Sequence, residues 1–181
     1  SRGLGDVYKT QFRETLVNND IAALNDLKNS ISPEAIGQAV TLLQEAETIY
    51  VLGQLRSFSV AYNIRYLLLY LRQNVRLLDG SGGLATEEAE LMSEKSLLVA
   101  VSFRYYAREV VDTVEGTARK NIPILAITDS QLSPLNKHAT CSLVVPGAGH
   151  KFSYSLGASM CLAQSLIISI CLLYTSDAAD E

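Results

Sequence analysis

NIPILAITDSQLSPLNKHATCSLVVP, residues 121–146, predicts a strand, a polar turn, one helical turn and a second strand. The strands are the apolar runs at 124–128 and 142–145, and Ser133-Pro134-Leu135 between them is typical of a capped helical turn. This order of elements is that of a parallel α/β unit. The stretch therefore predicts an α/β domain with a parallel sheet.

The same alternation extends through the preceding part of the chain. Further strands are predicted at 48–52, 75–78 and 97–101, and helices at 57–71, 84–92 and 107–120. Strict alternation of strands and helices implies right-handed crossovers between parallel strands. We therefore predict one domain built on a five-stranded parallel sheet.

Helices are also predicted before and after this sheet. Apolar spacing favours two short helices at 6–17 and 21–27, interrupted at Asn18-Asn19-Asp20. Ser32-Pro33-Glu34 then begins a third helix with a hydroxyl cap, a proline and a carboxylate. The helix at 155–173 is apolar nearly all round, which favours packing between the sheet and a partner subunit, with a membrane span as the alternative.

Composition limits the classes of function. The net charge of −4 offers no basic face for nucleic acid. Cys141, Cys161 and Cys171 lie far apart in apolar surroundings, which favours buried reduced thiols over disulfides or a metal cluster. With no secretion signal in the sequence, we expect a cytoplasmic protein without metal or cofactor.

Polar side chains follow three of the predicted strands. Gly53 is expected to permit a sharp turn before a helix whose free N–H groups meet an anion near Ser57, and Ser102 follows the third strand. Thr128 ends the fourth strand. The carboxyl edge of a parallel sheet is where ligands bind, so these groups predict a polar ligand site. A dinucleotide site is disfavoured because the second and third glycines of its fingerprint are absent.

The run SFRYYARE after the third strand adds charge and aromatic rings. Arg104 is expected to supply a positive fork, and Tyr105 a wall for a sugar. The alternatives are that Arg104 and Arg108 pair with surface carboxylates such as Glu109 or Glu115, and that the tyrosines form a dimer seam. The Thr128-Asp129-Ser130 turn also has a purely structural alternative.

These motifs resemble a known family. A strand followed by GxxxS and a helix, a strand followed by Ser102-Phe103, and AIT followed by SPL look like the sugar isomerase (SIS) domain. More closely, GQLRS, SFRYYARE and TDSQLSPL resemble the effector half of RpiR-type transcriptional regulators. Residues 6–46 are similar to the linker that follows the DNA-binding helix-turn-helix of those regulators.

The resemblance implies a flavodoxin-like three-layer α/β sandwich, with the SIS domain at 47–170 and a helical preface at 1–46. It also implies a homodimer that binds a phosphosugar through Ser57 and Ser102, and that contacts DNA only through an N-terminal domain missing here. Residues 171–181 are similar to a translated sequencing adaptor, so we expect a non-native tail, with a frayed natural end as the alternative.

The candidate ligand-binding residues are therefore Gly53, Arg56, Ser57, Ser102, Arg104, Tyr105, Thr128 and Ser133, with no catalytic or metal-binding residue assigned. This chain departs from the family at Leu55, where a second glycine is common, and at Arg104 and Ala107, where hydroxyls are common. We hypothesise that Arg56 and Arg104 form a charged clamp that suits a sugar acid as well as a sugar phosphate.

Three functions follow from these residues. A ligand-sensing regulator module is favoured, with a pocket that biases the geometry of a dimer. The first alternative is an aldose–ketose sugar-phosphate isomerase, whose acid–base groups would come from Glu87, Glu88, His138 and His150. The second is a structural dimerisation domain, which bulky side chains at Leu55, Phe58 or Tyr105 would favour by filling the cleft.

Overall fold

The computed structural model describes residues 2–147 and 155–177, with side chains described for 7–147 and 155–172. Its strands are β1 (Thr48–Gly53), β2 (Val75–Leu78), β3 (Ser96–Val101), β4 (Ile124–Thr128) and β5 (Cys141–Val144). All pair in parallel in the order β2-β1-β3-β4-β5. This is the flavodoxin-like order, so the predicted five-stranded parallel sheet is confirmed.

Helices cover both faces of the sheet. They are α1 (Arg2–Ser30), α2 (Pro33–Glu45), α3 (Arg56–Tyr70), α4 (Ala85–Glu90), α5 (Arg108–Arg119) and α6 (Gly157–Asp177), with 3₁₀ turns at Ser81–Gly83 and Pro134–Lys137. Apolar side chains of α1, α2, α3 and α6 share one core with the sheet, and those of α4 and α5 share the core on the other face. The three-layer sandwich is therefore confirmed.

The central strands form where the residues that point to either face of the sheet are apolar. Every residue of β3 and β4 is buried, as is every residue of β1 after Thr48. Strands covered on both faces lose the alternation of apolar and polar residues that marks a half-exposed strand. The continuous apolar runs in the sequence therefore located these strands correctly.

The N-terminal helices differ from the prediction. Instead of two short helices, α1 is one continuous helix that passes through Asn18, Asn19 and Asp20. Each of these residues costs less than about 1 kcal/mol in a helix relative to alanine, which is too little to break it. Ala23 is buried and Leu27 packs on the core, whereas every residue from 7 to 15 is exposed.

The boundaries of α2 follow the predicted signals. The Ser32 hydroxyl accepts a hydrogen bond from the Ala35 N–H at 3.1 Å, and Pro33 is the first helical residue. The helix ends at Glu45, and β1 begins three residues later at Thr48. The short link between them contains the predicted boundary between the preface and the SIS domain.

The last helix continues beyond its predicted end. α6 runs to Asp177, so no helix end marks residue 171, and the foreign origin of the tail stays a prediction. Within the described residues, no helix combines the length and hydrophobicity that a membrane span requires. The three cysteines form no disulfide, and the expectation of buried thiols holds only for Cys141, because Cys161 and Cys171 lie on partly exposed positions of α6.

The strand order fixes where a ligand can bind. The chain leaves β1 for β2 on one side and returns to β3 on the other. The connections that follow β1 and β3 therefore diverge, which opens a crevice at their carboxyl ends. The segments on either side of this crevice are those that carry the predicted site.

Candidate functional site

A small cleft lies at this crevice, with a volume of about 80 Å³. Its β1 side is formed by Gln54, Leu55, Arg56 and Ser57, and its β3 side by Ser102, Phe103, Arg104, Tyr105 and Ala107. Five predicted site residues are thus brought together, namely Arg56, Ser57, Ser102, Arg104 and Tyr105.

Gly53 serves close packing rather than a sharp turn. A Cβ atom at this position would lie 2.8 Å from both the Ala61 Cβ atom and the Ser57 carbonyl oxygen. The left-handed residue of the turn is instead Leu55, with φ 54° and ψ −127°. A bulky side chain is strained in this conformation, and glycine is not. Leu55 therefore carries backbone strain at the edge of the cleft.

The start of α3 does not present the amides that the sequence analysis assigned to an anion. The Ser57 N–H donates to the Gln54 carbonyl at 3.1 Å, and the Phe58 N–H donates to the Leu55 carbonyl at 3.2 Å. These tight turn bonds occupy two of the donors at the helix start. The expectation of a helix-terminus anion site is therefore wrong for these two groups.

On the β3 side, Arg104 and Tyr105 form an exposed pair. The Arg104 guanidinium carbon lies 5.4 Å from the centroid of the Tyr105 ring, within the range of a cation–π contact. Tyr105 has a left-handed φ of 75° and is 80% exposed. Leu55 and Tyr105 therefore border the cleft without filling it.

For Arg108 the alternative of pairing with a surface carboxylate is confirmed, with Asp112 as the partner rather than Glu109 or Glu115, whereas no such pair is found for Arg104 among the residues with described side chains. Arg108 pairs with Asp112, at 3.6 Å between Nε and Oδ2, because residues four apart are neighbours on a helix. The Glu109 carboxylate instead accepts a hydrogen bond from the Gln54 side chain. This bond joins the segment after β1 to the start of α5 across the cleft.

Thr128 and Ser133 lie outside the cleft lining. Both are buried, and the Ser133 hydroxyl caps the 3₁₀ turn by accepting from the Leu135 N–H. Their hydroxyls lie close to Tyr106, although the Thr128 hydroxyl makes no hydrogen bond of normal geometry. Direct ligand contact by these two residues would require the segment above them to move.

That segment is residues 102–107, which we call the β3 loop. Its conformation depends on Asp129, a residue to which the sequence analysis gave no role in the site. Asp129 Oδ2 accepts from the Arg104 N–H at 2.9 Å, and Oδ1 accepts from the Tyr106 hydroxyl at 2.9 Å. The pKa of Tyr106 is raised, first by burial and then by its bond to Asp129. In the sequence, Asp129 is a carboxylate directly after a strand, and this pattern could have identified it as a candidate site residue.

The proposed acid–base groups lie elsewhere. Glu87 and Glu88 are in the first turn of α4, and His138 is an exposed residue after the 3₁₀ turn. None of the three lines the cleft, and His150 falls outside the described residues. Within the part of the chain with described side chains, no three His, Cys, Asp or Glu residues cluster as metal ligands do.

The chain is similar in sequence and fold to known proteins. The SIS domain family matches residues 42–169 of the chain. The sugar isomerase domain of an RpiR transcription factor from Sphaerobacter thermophilus superposes with a TM-score of 0.87 and 28% identity, over 94% of this chain and 95% of that one. The Vibrio vulnificus NanR protein, in complex with ManNAc-6P, superposes with a TM-score of 0.82 and 21% identity, over 96% and 67%.

Curated relatives are longer proteins. The HTH-type transcriptional regulator YfhH of Escherichia coli K12 is 28% identical over 158 residues, which are 87% of this chain and 55% of the regulator. The bifunctional protein glk of Burkholderia thailandensis is also 28% identical, over 77% of this chain and 21% of its own length. The chain therefore spans about half of one relative and about a fifth of the other.

Proposed function

We propose that this chain, which belongs to the SIS domain family, is the ligand-sensing domain of a bacterial transcriptional regulator. The proposed ligand is a phosphosugar or a sugar acid. The observation that carries the proposal is that Arg56, Ser57, Ser102 and Arg104 line one cleft at the carboxyl ends of β1 and β3.

The residues of this cleft suit an anionic, hydroxylated ligand. Arg56 and Arg104 supply permanent positive charge in a geometry that matches carboxylate or phosphate oxygens. Ser57 and Ser102 can both donate to and accept from sugar hydroxyls. Since three nearby backbone amides are already bonded within the protein, recognition of the anion would depend on these side chains.

The regulatory role is supported by the similarity to an RpiR transcription factor domain and to an HTH-type regulator, each at 28% identity. The net charge of −4 gives the domain itself little attraction for DNA, so DNA contact would come from a separate helix-turn-helix domain. A transcriptional regulator acts in the bacterial cytoplasm, and that location is part of the proposal.

A homodimer is also part of the proposal. Most of the large apolar side chains that are exposed in the described chain lie on α1, α3 and α6, which cover the same face of the sheet. On α3 they include an aromatic row at every fourth residue, Phe58, Tyr62, Tyr66 and Tyr70. An apolar surface of this extent favours a partner, and a second copy of the chain would cover it symmetrically.

Ligand binding would act by shifting the dimer between two arrangements. A ligand shifts such an equilibrium only by the difference in its affinity for the two states. Because α3 begins in the cleft at Arg56 and carries the aromatic row, a change at the cleft would reach the proposed interface through one rigid helix. The change in the dimer arrangement would then move the DNA-binding domains attached to each copy.

A thermal-shift screen of the full chain against sugar phosphates and sugar acids tests the proposal. A ligand that binds only the folded protein at 100 times its Kd stabilises it by about 2.7 kcal/mol. Each ligand found is then followed by NMR for turnover. Stabilisation without conversion supports the sensing function, whereas conversion to the ketose or aldose partner establishes the isomerase alternative. A complete lack of stabilisation favours a structural dimerisation domain.

A further inference from the structure

Asp129 connects β4 to the β3 loop at two points. Its carboxylate accepts one hydrogen bond from the backbone of Arg104 and another from the side chain of Tyr106, both at 2.9 Å. Bonds to a charged carboxylate are stronger than those between neutral groups. The two donors belong to the residues before and after Tyr105, so Asp129 restrains the loop on both sides of its tip.

The tip of the β3 loop needs such support. Tyr105 has a φ of 75°, which a bulky residue adopts only when its surroundings impose it. The Tyr105 side chain is largely exposed, so burial of this side chain supplies little of the restraint and the residues beside it supply more. Phe103 anchors the start of the loop in the core, and Asp129 fixes Arg104 and Tyr106.

We propose that Asp129 is a positioning residue for ligand recognition, which holds the β3 loop so that Arg104 faces the cleft. This inference rests on the proposed function. It predicts that Asp129 contributes to affinity without touching the ligand, because an arginine held in place loses less conformational freedom on binding. It also predicts that Tyr106 contributes to affinity indirectly, through its hydrogen bond to Asp129.

Four variants separate positioning from general stability. Asp129→Ala removes both acceptors, Asp129→Asn keeps the shape without the charge, and Tyr106→Phe removes one of the two bonds. The control is Thr140→Val, because the Thr140 hydroxyl likewise accepts from a backbone N–H, that of Ile124 at 3.0 Å, but at the opposite end of β4.

The first measurement is amide hydrogen exchange at Arg104, Tyr105 and Tyr106 in the unliganded full chain. In Asp129→Ala we expect exchange at Arg104 to be faster by about tenfold or more, since its hydrogen bond is lost. Tyr106→Phe and Asp129→Asn should give smaller increases, and Thr140→Val none. Unchanged exchange in Asp129→Ala would show that Asp129 does not fix the loop and would overturn the proposal.

The second measurement is calorimetric affinity for N-acetylmannosamine 6-phosphate and for 6-phosphogluconate. We expect about a tenfold loss in Asp129→Ala, a smaller loss in Tyr106→Phe, and no further loss when the two are combined, as for residues of one unit. Equal affinity in Asp129→Ala, or tighter binding in Asp129→Asn, would contradict positioning. If neither compound binds the wild-type protein, the affinity is measured with the strongest compound of the thermal-shift screen; a screen without any binding compound refutes the proposed ligand class, while the exchange rates still decide whether Asp129 fixes the loop.

Discussion

Gly53 and Ala61 pack so closely that a Cβ atom added to Gly53 would lie 2.8 Å from that of Ala61. This contact packs the first two turns of α3, which include Ser57, against the end of β1. We predict that Gly53→Ala lowers the free energy of unfolding by about 1–3 kcal/mol, the usual cost of overpacking. Urea denaturation measures this loss.

The control for this variant is Gly37→Ala. Gly37 lies inside α2 with no atom within 4 Å of an added Cβ, so alanine should stabilise the protein by about 0.5–1 kcal/mol through helix propensity. Equal effects of the two substitutions would mean that the close approach at Gly53 has no energetic consequence.

Leu55→Gly should stabilise the protein, although it removes a side chain. Leu55 is 82% exposed, so little packing is lost, and its left-handed backbone suits glycine. Relief of the strain, of about 1–3 kcal/mol, should exceed the added entropy of the unfolded chain. The expected gain in the free energy of unfolding is about 1 kcal/mol by urea denaturation.

Leu132→Gly is the matched control, since Leu132 is 92% exposed and its φ is not left-handed. It should destabilise the protein by about 0.5–1 kcal/mol. A loss of stability in Leu55→Gly as large as this would refute the assignment of strain to Leu55.

The architecture could be predicted from sequence because burial on both faces leaves an unmistakable apolar run. β3 and β4 show this most clearly, since they are buried at every residue. The helical character of the N-terminal segment was predicted but the continuity of α1 was not, because the polar run Asn18-Asn19-Asp20 resembles a break although each of its residues costs too little to interrupt a helix.

The site could be predicted only in part. Ser57 and Ser102 follow from topology alone, since each comes just after a strand at the switch point. Thr128 ends β4, which is not at the switch point, and Ser133 follows five residues later, and both are buried close to Tyr106. Asp129 was missed as a site residue because its partners come 23 and 25 residues earlier in the chain, a separation that no local pattern reveals.

Stability should decline at alkaline pH in a way that depends on Tyr106. Its pKa is raised in the folded protein, so the unfolded chain releases this proton first as the pH rises past about 10. The free energy of unfolding therefore falls from that pH until Tyr106 also ionises in the folded state. In Tyr106→Phe this fall should be shallower, measured by urea denaturation between pH 9 and 11 (roughly the tyrosine range). An identical slope would contradict the assignment.

The aromatic row of α3 predicts how the oligomeric state responds to charge. Tyr62→Glu with Tyr66→Glu should shift the protein toward a monomer in sedimentation velocity, because buried carboxylates without partners are costly at an interface. The matched control places glutamate at Leu91 and Leu132, which are exposed apolar residues away from α1, α3 and α6. A wild-type monomer, or dissociation in the control alone, would refute the proposed interface.

The central claim is that the cleft between β1 and β3 binds an anionic sugar through Arg56 and Arg104. The most direct test is calorimetric affinity for the strongest compound of the thermal-shift screen, in Arg56→Gln/Arg104→Gln and in a control of equal charge, Arg13→Gln/Arg119→Gln. Arg13 and Arg119 are exposed and lie outside the cleft lining. We expect the cleft variant to lose binding while it stays folded, and the control to retain it. Unchanged affinity in the cleft variant would contradict the claim.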